Sequence, residues 1–263
     1  MRYTGGKFRQ GKAIAALING VLRDGDVYIE PFCGALGVAS RVACPRMILR
    51  DNNEACVVFW DWVVNQGLEL PNTVTKKEYD ELREAKDPKN PLTFYAGHGF
   101  SFSARWFGTY APHSLKNDPG RVKRWGPSLK AQVMRKAESF LGKVVAFEAG
   151  SYEKTKFPPG MRPVLYLDPP YAGSATWVYG GPRDFDHDRF WEWASHRTRN
   201  GPVLVTEATA PPGWVAIYSW GNTVSTSPDF QPKREFNERI WVHRSQVSFW
   251  KRAAQTQGIP LLV

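Results

Sequence analysis

The stretch Val164–Tyr171, which reads Val-Leu-Tyr-Leu-Asp-Pro-Pro-Tyr, decides the fold. Its first four residues are apolar and predict a buried strand, and the two prolines that follow cannot continue a hydrogen-bonded ladder. An aspartate, a rigid carbonyl and an aromatic ring therefore leave the carboxyl end of a strand, where open α/β sheets bind ligands. Such a trio suits a planar ring that bears an exocyclic amine. The alternative is that Asp168–Tyr171 only ends the strand and packs on the sheet edge.

Strand and helix patterns alternate on both sides of this stretch. Before it, the chain predicts a helix at 13–22, a strand at 27–30, a helix near 38–42, a strand at 47–51 and a helix at 55–64. After a break, strands are predicted at 144–147, 164–168, 203–206, 215–218 and 240–243, with a helix at 188–198. This alternation predicts an α/β fold with a Rossmann-like, doubly wound and mainly parallel sheet.

The segment 65–143 interrupts the alternation. Only two helices stand out in it, one introduced by the capping box Thr75-x-x-Glu78 and one over 128–141. We therefore predict one domain built from residues 1–64 and 144–263, with a mainly helical domain, residues 65–143, inserted into it.

The insert also carries most of the positive charge. The chain has 263 residues and a net charge of +10, and residues 105–143 hold nine Lys or Arg against two acids, which is +7. Basic residues interleaved with aromatic ones suit phosphate contacts and base stacking, so a polyanionic partner is predicted. A solvated basic surface is the alternative for the charge, and a small satellite core is the alternative for the aromatic residues.

The cysteines and the hydropathy exclude several classes of protein. Cys33, Cys44 and Cys56 form no Cys-x-x-Cys pair, so neither a disulfide framework nor a zinc site is predicted. No apolar stretch approaches the roughly 20 residues needed to span a bilayer, and the start of the chain lacks the apolar core of a signal peptide. We expect a cytoplasmic protein that does not enter membranes.

A second ligand-binding pattern lies earlier in the chain. Residues Glu30–Gly37 read Glu-Pro-Phe-Cys-Gly-Ala-Leu-Gly and follow the first predicted strand. If they open a helix, their glycines let a ligand approach the backbone at a positive helix terminus. Asp51 ends the next predicted strand, where a carboxylate can reach the two hydroxyls of a ribose. The pattern predicts a nucleoside-containing cofactor, and a helix N-cap is the alternative role of Asp51.

Four blocks in this order resemble the DNA adenine-N6 methyltransferases of the Dam type, the D12 class in the α group, and bacteriophage members above all. The blocks are Tyr3-x-Gly5-Gly6-Lys7, Glu30–Gly37, Asp51 and Asp168–Tyr171. A fifth stretch, from Phe100 to Tyr110, resembles the target-recognition region of phage members. The chain departs from the family where Leu36 replaces a second loop glycine and where Tyr3 replaces a frequent tryptophan.

The resemblance implies a cofactor, a substrate and a set of site residues. The cofactor is S-adenosylmethionine, no metal is needed, and the substrate is an adenine flipped out of double-stranded DNA. Asp168 and the carbonyl of Pro169 would accept hydrogen bonds from the N6 amine, Pro170 would stiffen the loop, and Tyr171 would stack on the base. The implied cofactor-binding residues are Tyr3, Gly6, Lys7, Glu30, Phe32, Gly34, Asp51, Asn52 and Asp168. The residues that we predict to contact DNA are Arg105, Tyr110, Arg121, Lys123 and Arg124.

Two other functions remain open at this point. An RNA methyltransferase that acts on an exocyclic amine would share the fold and a similar tetrapeptide. A DNA-binding protein that has lost turnover and only occludes sites would share the basic insert. Methylation of cytosine at C5 is disfavoured because it requires a thiolate nucleophile, and no cysteine here directly follows a proline. Methylation of cytosine at N4 usually goes with serine at the position of Asp168.

Overall fold

The structure, a computed structural model, describes residues 6–7, 9–111, 119–171, 185–223 and 235–263, with the backbone alone at 119–123, 221–223 and 235–237. Within these residues there are seven strands: β1 Val27–Glu30, β2 Arg46–Asp51, β3 Val144–Ala149, β4 Pro163–Leu167, β5 Val203–Glu207, β6 Trp214–Thr223 and β7 Glu235–His243. The helices are α1 Gly11–Asn19, α2 Glu54–Val64, α3 Lys76–Ala85, α4 Pro91–Gly99, α5 Pro119–Glu138, α6 His187–Arg197 and α7 Val247–Thr256.

All seven strands belong to one sheet, in the order β3-β2-β1-β4-β5-β7-β6. The pairs from β3 to β5 are parallel, whereas β7 runs antiparallel to both of its neighbours. The order reverses direction between β1 and β4, the kind of switch point at which doubly wound sheets form their ligand crevice. The prediction of a Rossmann-like α/β fold is confirmed.

The sheet has an apolar core on each face. Along β4, Val164 and Tyr166 belong to the core beneath α1, α2 and α7, while Leu165 and Leu167 belong to the core beneath α6. Successive strand residues point to opposite faces, so a strand covered on both sides must be apolar throughout. This requirement explains the unbroken apolar run that precedes Asp168.

Local sequence signals account for several helix starts. Thr75 and Glu78 form the predicted capping box at the start of α3. The side chain of Asn53 accepts a hydrogen bond from the amide of Cys56 at the start of α2, and Asp186 accepts one from Arg189 at the start of α6. Each cap satisfies an amide that would otherwise lack a partner within the helix.

The segment predicted as an insert is mainly helical and packs on α2. Phe59 of α2 lies 5.4 Å from Phe94 and 5.9 Å from Tyr95, measured between ring centroids, and all three rings are buried. Residues of the insert and of the sheet therefore share one continuous core. The division of the chain at 65 and 143 stays a prediction.

Several elements differ from expectation. The helix predicted near 38–42 is a single 3-10 turn, Ala39–Arg41, because β2 begins only a few residues later. Helix α5 starts well before position 128 and continues through Pro127. Two helices, α4 and α7, were not predicted. Among the described residues, no helix is both long and apolar enough to cross a membrane.

Candidate active site

Residues from β5, from β7 and from the N-terminal segment surround Asp168 at the end of β4. Asp168 directly follows β4, Thr206 lies near the end of β5, and Glu238 lies in β7. Lys7 approaches them from the N-terminal segment, and its Nζ lies 2.6 Å from Oδ1 of Asp168 and 3.1 Å from Oε1 of Glu238. Sequence positions that are far apart therefore form one polar cluster at the carboxyl edge of the parallel strands.

The carboxylate of Asp168 is anchored through one of its two oxygens. Oδ1 accepts hydrogen bonds from Lys7 and, at 2.8 Å, from the hydroxyl of Thr206. The hydroxyl oxygen of Tyr171 lies 3.4 Å from Oδ1, but the closer acceptor of its single proton is Glu238. Thr206 is in turn fixed by Tyr166, whose hydroxyl lies 2.9 Å from Thr206 Oγ1. Every side-chain contact that described residues make with Asp168 is to Oδ1, which leaves Oδ2 to accept a hydrogen bond from a substrate.

The cluster combines one buried cation with two carboxylates. Burial raises the pKa of Asp168, Lys7 opposes that rise, and the neighbouring charge of Glu238 adds to it. Burial disfavours the charged form of Lys7, but Asp168 and Glu238 more than offset burial, so the pKa of Lys7 is raised. The ammonium group of Lys7 thus lies between the carboxylates of Asp168 and Glu238, a setting that suits a cationic reactant.

Tyr171 closes the tetrapeptide onto the cluster. Its hydroxyl donates a hydrogen bond to Glu238, and Nζ of Lys7 lies 4.8 Å from the centre of its ring. The ring is partly exposed, whereas Pro169 is buried and Pro170 partly exposed. The hydroxyl and the lysine thus hold the ring in one orientation while part of it stays accessible.

The second predicted pattern also comes together, at the end of β2. Oδ2 of Asp51 accepts a hydrogen bond from the amide of Gly34 at 2.8 Å, and Oδ1 accepts one from the amide of Asn53 at 2.9 Å. Burial raises the pKa of Asp51 to about 6, although backbone amides oppose the rise. Asp51 therefore orders the loop that follows β1 and stays partly exposed beside it, with Asn52 exposed next to it.

The loop Pro31–Gly37, called the nucleotide loop below, needs unusual backbone angles. Gly34 has φ +44° and Leu36 has φ +55°, and only glycine adopts positive φ without strain. Leu36 stands where the family usually has its second glycine. Its side chain is fully buried, and this burial offsets the backbone strain.

Side chains of α2 and α5 donate hydrogen bonds to carbonyls of the nucleotide loop. The carbonyl of Gly34 accepts hydrogen bonds from Sγ of Cys56 and from the indole of Trp60 in α2, both at 3.0 Å. Lys136 of α5 donates a hydrogen bond to the carbonyl of Ala35 and lies over the ring of Trp60. Burial lowers the pKa of Lys136 to about 8. The predicted insert is therefore in direct contact with the nucleotide loop.

Two residues predicted to bind the cofactor serve other contacts in the structure. Glu30 is 2% exposed, accepts a hydrogen bond from the hydroxyl of Tyr28 at 2.6 Å, and has its pKa raised by burial to about 8. Its hydrogen-bond partners are the hydroxyl of Tyr28 and the backbone of Ala39. Phe32 stacks on Tyr152, with 5.5 Å between ring centroids, and keeps one part of its ring exposed.

The fold brings two cysteines together beneath this loop, which their spacing did not indicate. Ligand atoms of Cys33, Asp51 and Cys56 lie within 4.8 Å of one another. Burial raises the pKa of both thiols, that of Cys33 to about 11, and Asp51 already accepts two amide hydrogen bonds. A metal ligand must be a thiolate, so we assign no metal ion to these residues.

The predicted DNA contacts divide into three groups. Of the residues predicted to contact DNA, Arg105 and Arg124 are exposed. Gly6, which was predicted to bind the cofactor, is exposed as well. Tyr110 is only 8% exposed, its ring packs 5.1 Å from that of Tyr79, and its hydroxyl donates a hydrogen bond to the carbonyl of Val74, so its environment favours a packing role. The side chains of Arg121 and Lys123, which were predicted to contact DNA, lie outside the described residues. So does Tyr3, which was predicted to bind the cofactor.

Most of the other aromatic residues of the insert pack in the core, as the alternative interpretation had it, but this core is continuous with that of the sheet and is not a separate satellite. Buried rings include those of Tyr95, Phe100 and Phe107, whereas the side chain of Phe102 is 56% exposed. Phe102 lies on a hairpin-like turn, since Ser101 pairs with Tyr110. We therefore replace Tyr110 with Phe102 among the residues proposed to contact DNA.

Sequence reasoning assigned no role to Glu238, Thr206, Gln10 or Lys136. Thr206 carried a signal, because it ends a predicted buried strand at the same edge as Asp168. Glu238 begins the stretch Glu238–Trp241, which also resembles the family, but the stretch itself does not indicate the partners of Glu238. The contacts of Lys136 depend on tertiary packing alone.

The sheet and this cluster define an α/β protein with a candidate ligand site at the carboxyl ends of its central strands. The chain belongs to the D12 class N6 adenine-specific DNA methyltransferase family, whose family model matches residues 3–199. This membership supports methyltransferase activity on DNA. No curated protein matches the chain in sequence.

One solved structure similar to the chain is the rRNA methyltransferase aviRa from Streptomyces viridochromogenes. It is 10% identical, with a TM-score of 0.38, and the alignment covers 92% of this chain and 83% of that one. At this level of similarity, the comparison carries no inference about the substrate.

Proposed function

We propose that this protein transfers a methyl group from S-adenosylmethionine to the N6 amine of an adenine flipped out of double-stranded DNA. The observation that carries the proposal is the anchoring of Asp168 by Lys7 and Thr206, each of which contacts Oδ1. The order of the sequence blocks further supports a Dam-type enzyme of the bacteriophage kind. We place its action on DNA in the cytoplasm of a bacterium or of an infected host cell.

The residues at the nucleotide loop fit this cofactor. Asp51 is held by two amides and stays partly exposed, so its carboxylate can accept hydrogen bonds from ribose hydroxyls. The carboxylates of Asp168 and Glu238 beside Lys7 suit the positive charge of a sulfonium. When bound, S-adenosylmethionine supplies an electrophilic methyl group. We propose Tyr3, Gly6, Lys7, Phe32, Gly34, Asp51 and Asn52 as its binding residues, with Glu30 supporting the loop.

Asp168 and Pro169 prepare the target amine. Oδ2 of Asp168 and the carbonyl of Pro169 each accept a hydrogen bond from one N6 hydrogen, which favours a tetrahedral nitrogen with an available lone pair. As the N6 nitrogen gains the methyl group it becomes positive, and the fixed carboxylate stabilises that charge. One N6 hydrogen then leaves as a proton, and Oδ2 of Asp168 is the base in contact with it.

Tyr171 and the basic surface of the insert hold the DNA. Tyr171 stacks on the flipped adenine, and such stacking recovers part of the few kcal/mol that unstacking costs. Arg105, Arg121, Lys123 and Arg124 are proposed to contact phosphates, and Phe102 the bases. Phosphate contacts position a duplex and carry no sequence information, so these basic residues set affinity more than site choice.

The test is transfer of labelled methyl groups to unmethylated double-stranded DNA, followed by digestion and identification of the methylated nucleoside. We expect N6-methyladenine. Asp168→Asn and Asp168→Ala should lower the rate at least about 100-fold while DNA binding is retained, because they remove a preorganised acceptor. Asp188→Asn, at an exposed aspartate of α6, is the matched control.

Three outcomes would contradict the proposal. Label on cytosine would show that the target base is cytosine and not adenine. Label on RNA alone would favour an RNA methyltransferase that acts on an exocyclic amine. Tight binding of unmethylated DNA without any transfer would favour the protein that only occludes sites. Sequencing of DNA from cells that express the protein, read out for N6-methyladenine, would identify the recognition site.

A further inference from the structure

Glu238 contacts the candidate active site from outside the part of the chain that the family model matches. The match ends at residue 199, whereas Glu238 lies in β7. In the pairing of β5 with β7, Glu207 lies opposite Arg239, so Glu238 lies just beyond the carboxyl end of β5. Asp168 emerges at the same edge of the neighbouring strand, which brings the two carboxylates together.

The side chain of Glu238 joins three groups. Its Oε1 lies 3.1 Å from Nζ of Lys7 and accepts the hydrogen bond from the hydroxyl of Tyr171, while Oε2 accepts one from Gln10 at 3.3 Å. The residue is 4% exposed. It thus links the N-terminal segment to the tetrapeptide, and both of its oxygens are engaged.

The charge of Glu238 is not needed to neutralise Lys7. Asp168 already pairs with Lys7 at 2.6 Å, so a neutral side chain at position 238 would leave a balanced ion pair. Burying a second carboxylate beside the same ammonium group carries a desolvation cost, which the contacts of Glu238 with Lys7, Tyr171 and Gln10 offset. Negative charge near the reacting atoms stabilises the transfer reaction, because positive charge moves from the sulfonium to N6 together with the methyl group.

We propose that Glu238 is a positioning residue for methyl transfer: through Lys7 and Tyr171 it fixes the carboxylate of Asp168 and the ring that stacks on the target base. This inference rests on the proposed function. Glu238 does not touch the substrate in this arrangement. Its effect should therefore fall on the transfer step more than on the binding of cofactor or DNA.

The test compares Glu238→Gln, which keeps the shape, and Glu238→Ala with Glu192→Gln, at an exposed glutamate of α6. We expect kcat to fall about tenfold or more in Glu238→Gln, with cofactor and DNA Kd values within about twofold of wild type, as for an interaction made in the transition state. Glu238→Ala should lose at least as much, and Glu192→Gln should lose nothing.

A second readout, independent of turnover, is the titration of Asp168 followed by NMR of its labelled carboxyl carbon. The charged and titratable groups that face Asp168 are Lys7, Glu30, Tyr166, Tyr171 and Glu238. The charge of Glu238 raises the pKa of Asp168, so Glu238→Gln should lower it. The acid limb of the kcat profile should move to lower pH by the same amount.

The outcomes separate the two proposals. If wild-type protein transfers no methyl group, the proposed function fails, and the titration still tests the contact between the carboxylates. If wild type is active and Glu238→Gln keeps both kcat and the pKa of Asp168, the role of Glu238 is wrong. If Glu238→Gln does not fold, Tyr171→Phe removes only the hydroxyl that joins Glu238 to the tetrapeptide. Unchanged kcat in Tyr171→Phe would then overturn the inference.

Discussion

Nζ of Lys7 lies 2.6 Å from Oδ1 of Asp168, so an ion pair ties the N-terminal segment to the end of β4. The lysine is 6% exposed and the aspartate 15%, and a second carboxylate, that of Glu238, lies on the other side of the ammonium group. This arrangement affects stability as well as chemistry.

The first prediction concerns Lys7→Met, which leaves two buried carboxylates without their cation. Breaking a buried pair by removing one partner typically costs about 3–5 kcal/mol, and we expect a loss of this size in the free energy of unfolding, measured in urea. Lys12→Met, at an exposed lysine, is the control and should change little. The double variant Lys7→Met/Glu238→Gln should be more stable than Lys7→Met alone, because it buries one carboxylate fewer. If the losses of unfolding free energy in the two single variants simply add in the double variant, this account is wrong.

The second prediction concerns Asp51 and pH. Burial raises the pKa of its carboxyl to about 6, so the ionised form that accepts ribose hydroxyls declines as pH falls through that value. Titration calorimetry should show cofactor affinity falling below about pH 6. Asp51→Asn should bind more weakly and lose this pH dependence, whereas Asp24→Asn, at an exposed aspartate, should retain it. An Asp51→Asn variant with the wild-type pH profile would exclude Asp51 as its source.

The third prediction concerns Lys136, which reaches from α5 to the carbonyl of Ala35. Lys136→Met keeps the aliphatic part of the side chain but removes the donor, so the nucleotide loop is held less firmly. We expect cofactor affinity to fall by about tenfold, equivalent to about 1.4 kcal/mol, as measured by calorimetry. Arg135→Met changes the exposed neighbour on the same helix and should have no such effect. Equal losses in both variants would point to a general weakening of α5.

The fourth prediction separates packing from DNA contact in the insert. Tyr110→Phe removes the hydroxyl that donates to the carbonyl of Val74, and it should cost about 1 kcal/mol of unfolding free energy with DNA affinity unchanged. Phe102→Ala removes an exposed ring and should do the opposite: weaker DNA binding, with stability retained. Fluorescence anisotropy with double-stranded DNA measures DNA affinity, and urea unfolding measures the free energy of unfolding. A Tyr110→Phe variant that binds DNA poorly would restore Tyr110 as a contact residue.

The sheet could be predicted from the sequence because its strands are short apolar runs with sharp ends. The predicted bounds of β1 agree with the structure, and those of β2 and β4 differ by one residue. Helix α4 was missed because its glycines and aromatic residues weaken the helical pattern, although Asn90 and Pro91 carried a start signal. In α7 the buried residues Trp250, Ala253 and Ala254 are spaced for one helix face, and that spacing was overlooked.

The candidate site could be predicted only in part. Asp168 and Asp51 stand at the ends of strands, and strand ends can be recognised along the chain. The burial of Tyr110 could not be predicted because an aromatic residue among basic ones fits a core as well as a surface. Glu238 was missed because its partners come from the N-terminal segment and from the loop after β4, and such contacts exist only after the chain has folded.

The partners of Asp168 also determine when the site forms during folding. Lys7 and Glu238 come from nearly opposite ends of the described chain, and Asp168 lies between them. Contacts of such high sequence separation close large loops, whose entropic cost delays their formation relative to local helices and adjacent strand pairs. We therefore expect refolding protein to regain its circular dichroism before it regains the Lys7–Asp168–Glu238 cluster. A partly folded chain should then lack the anchored carboxylate that the proposed transfer reaction requires.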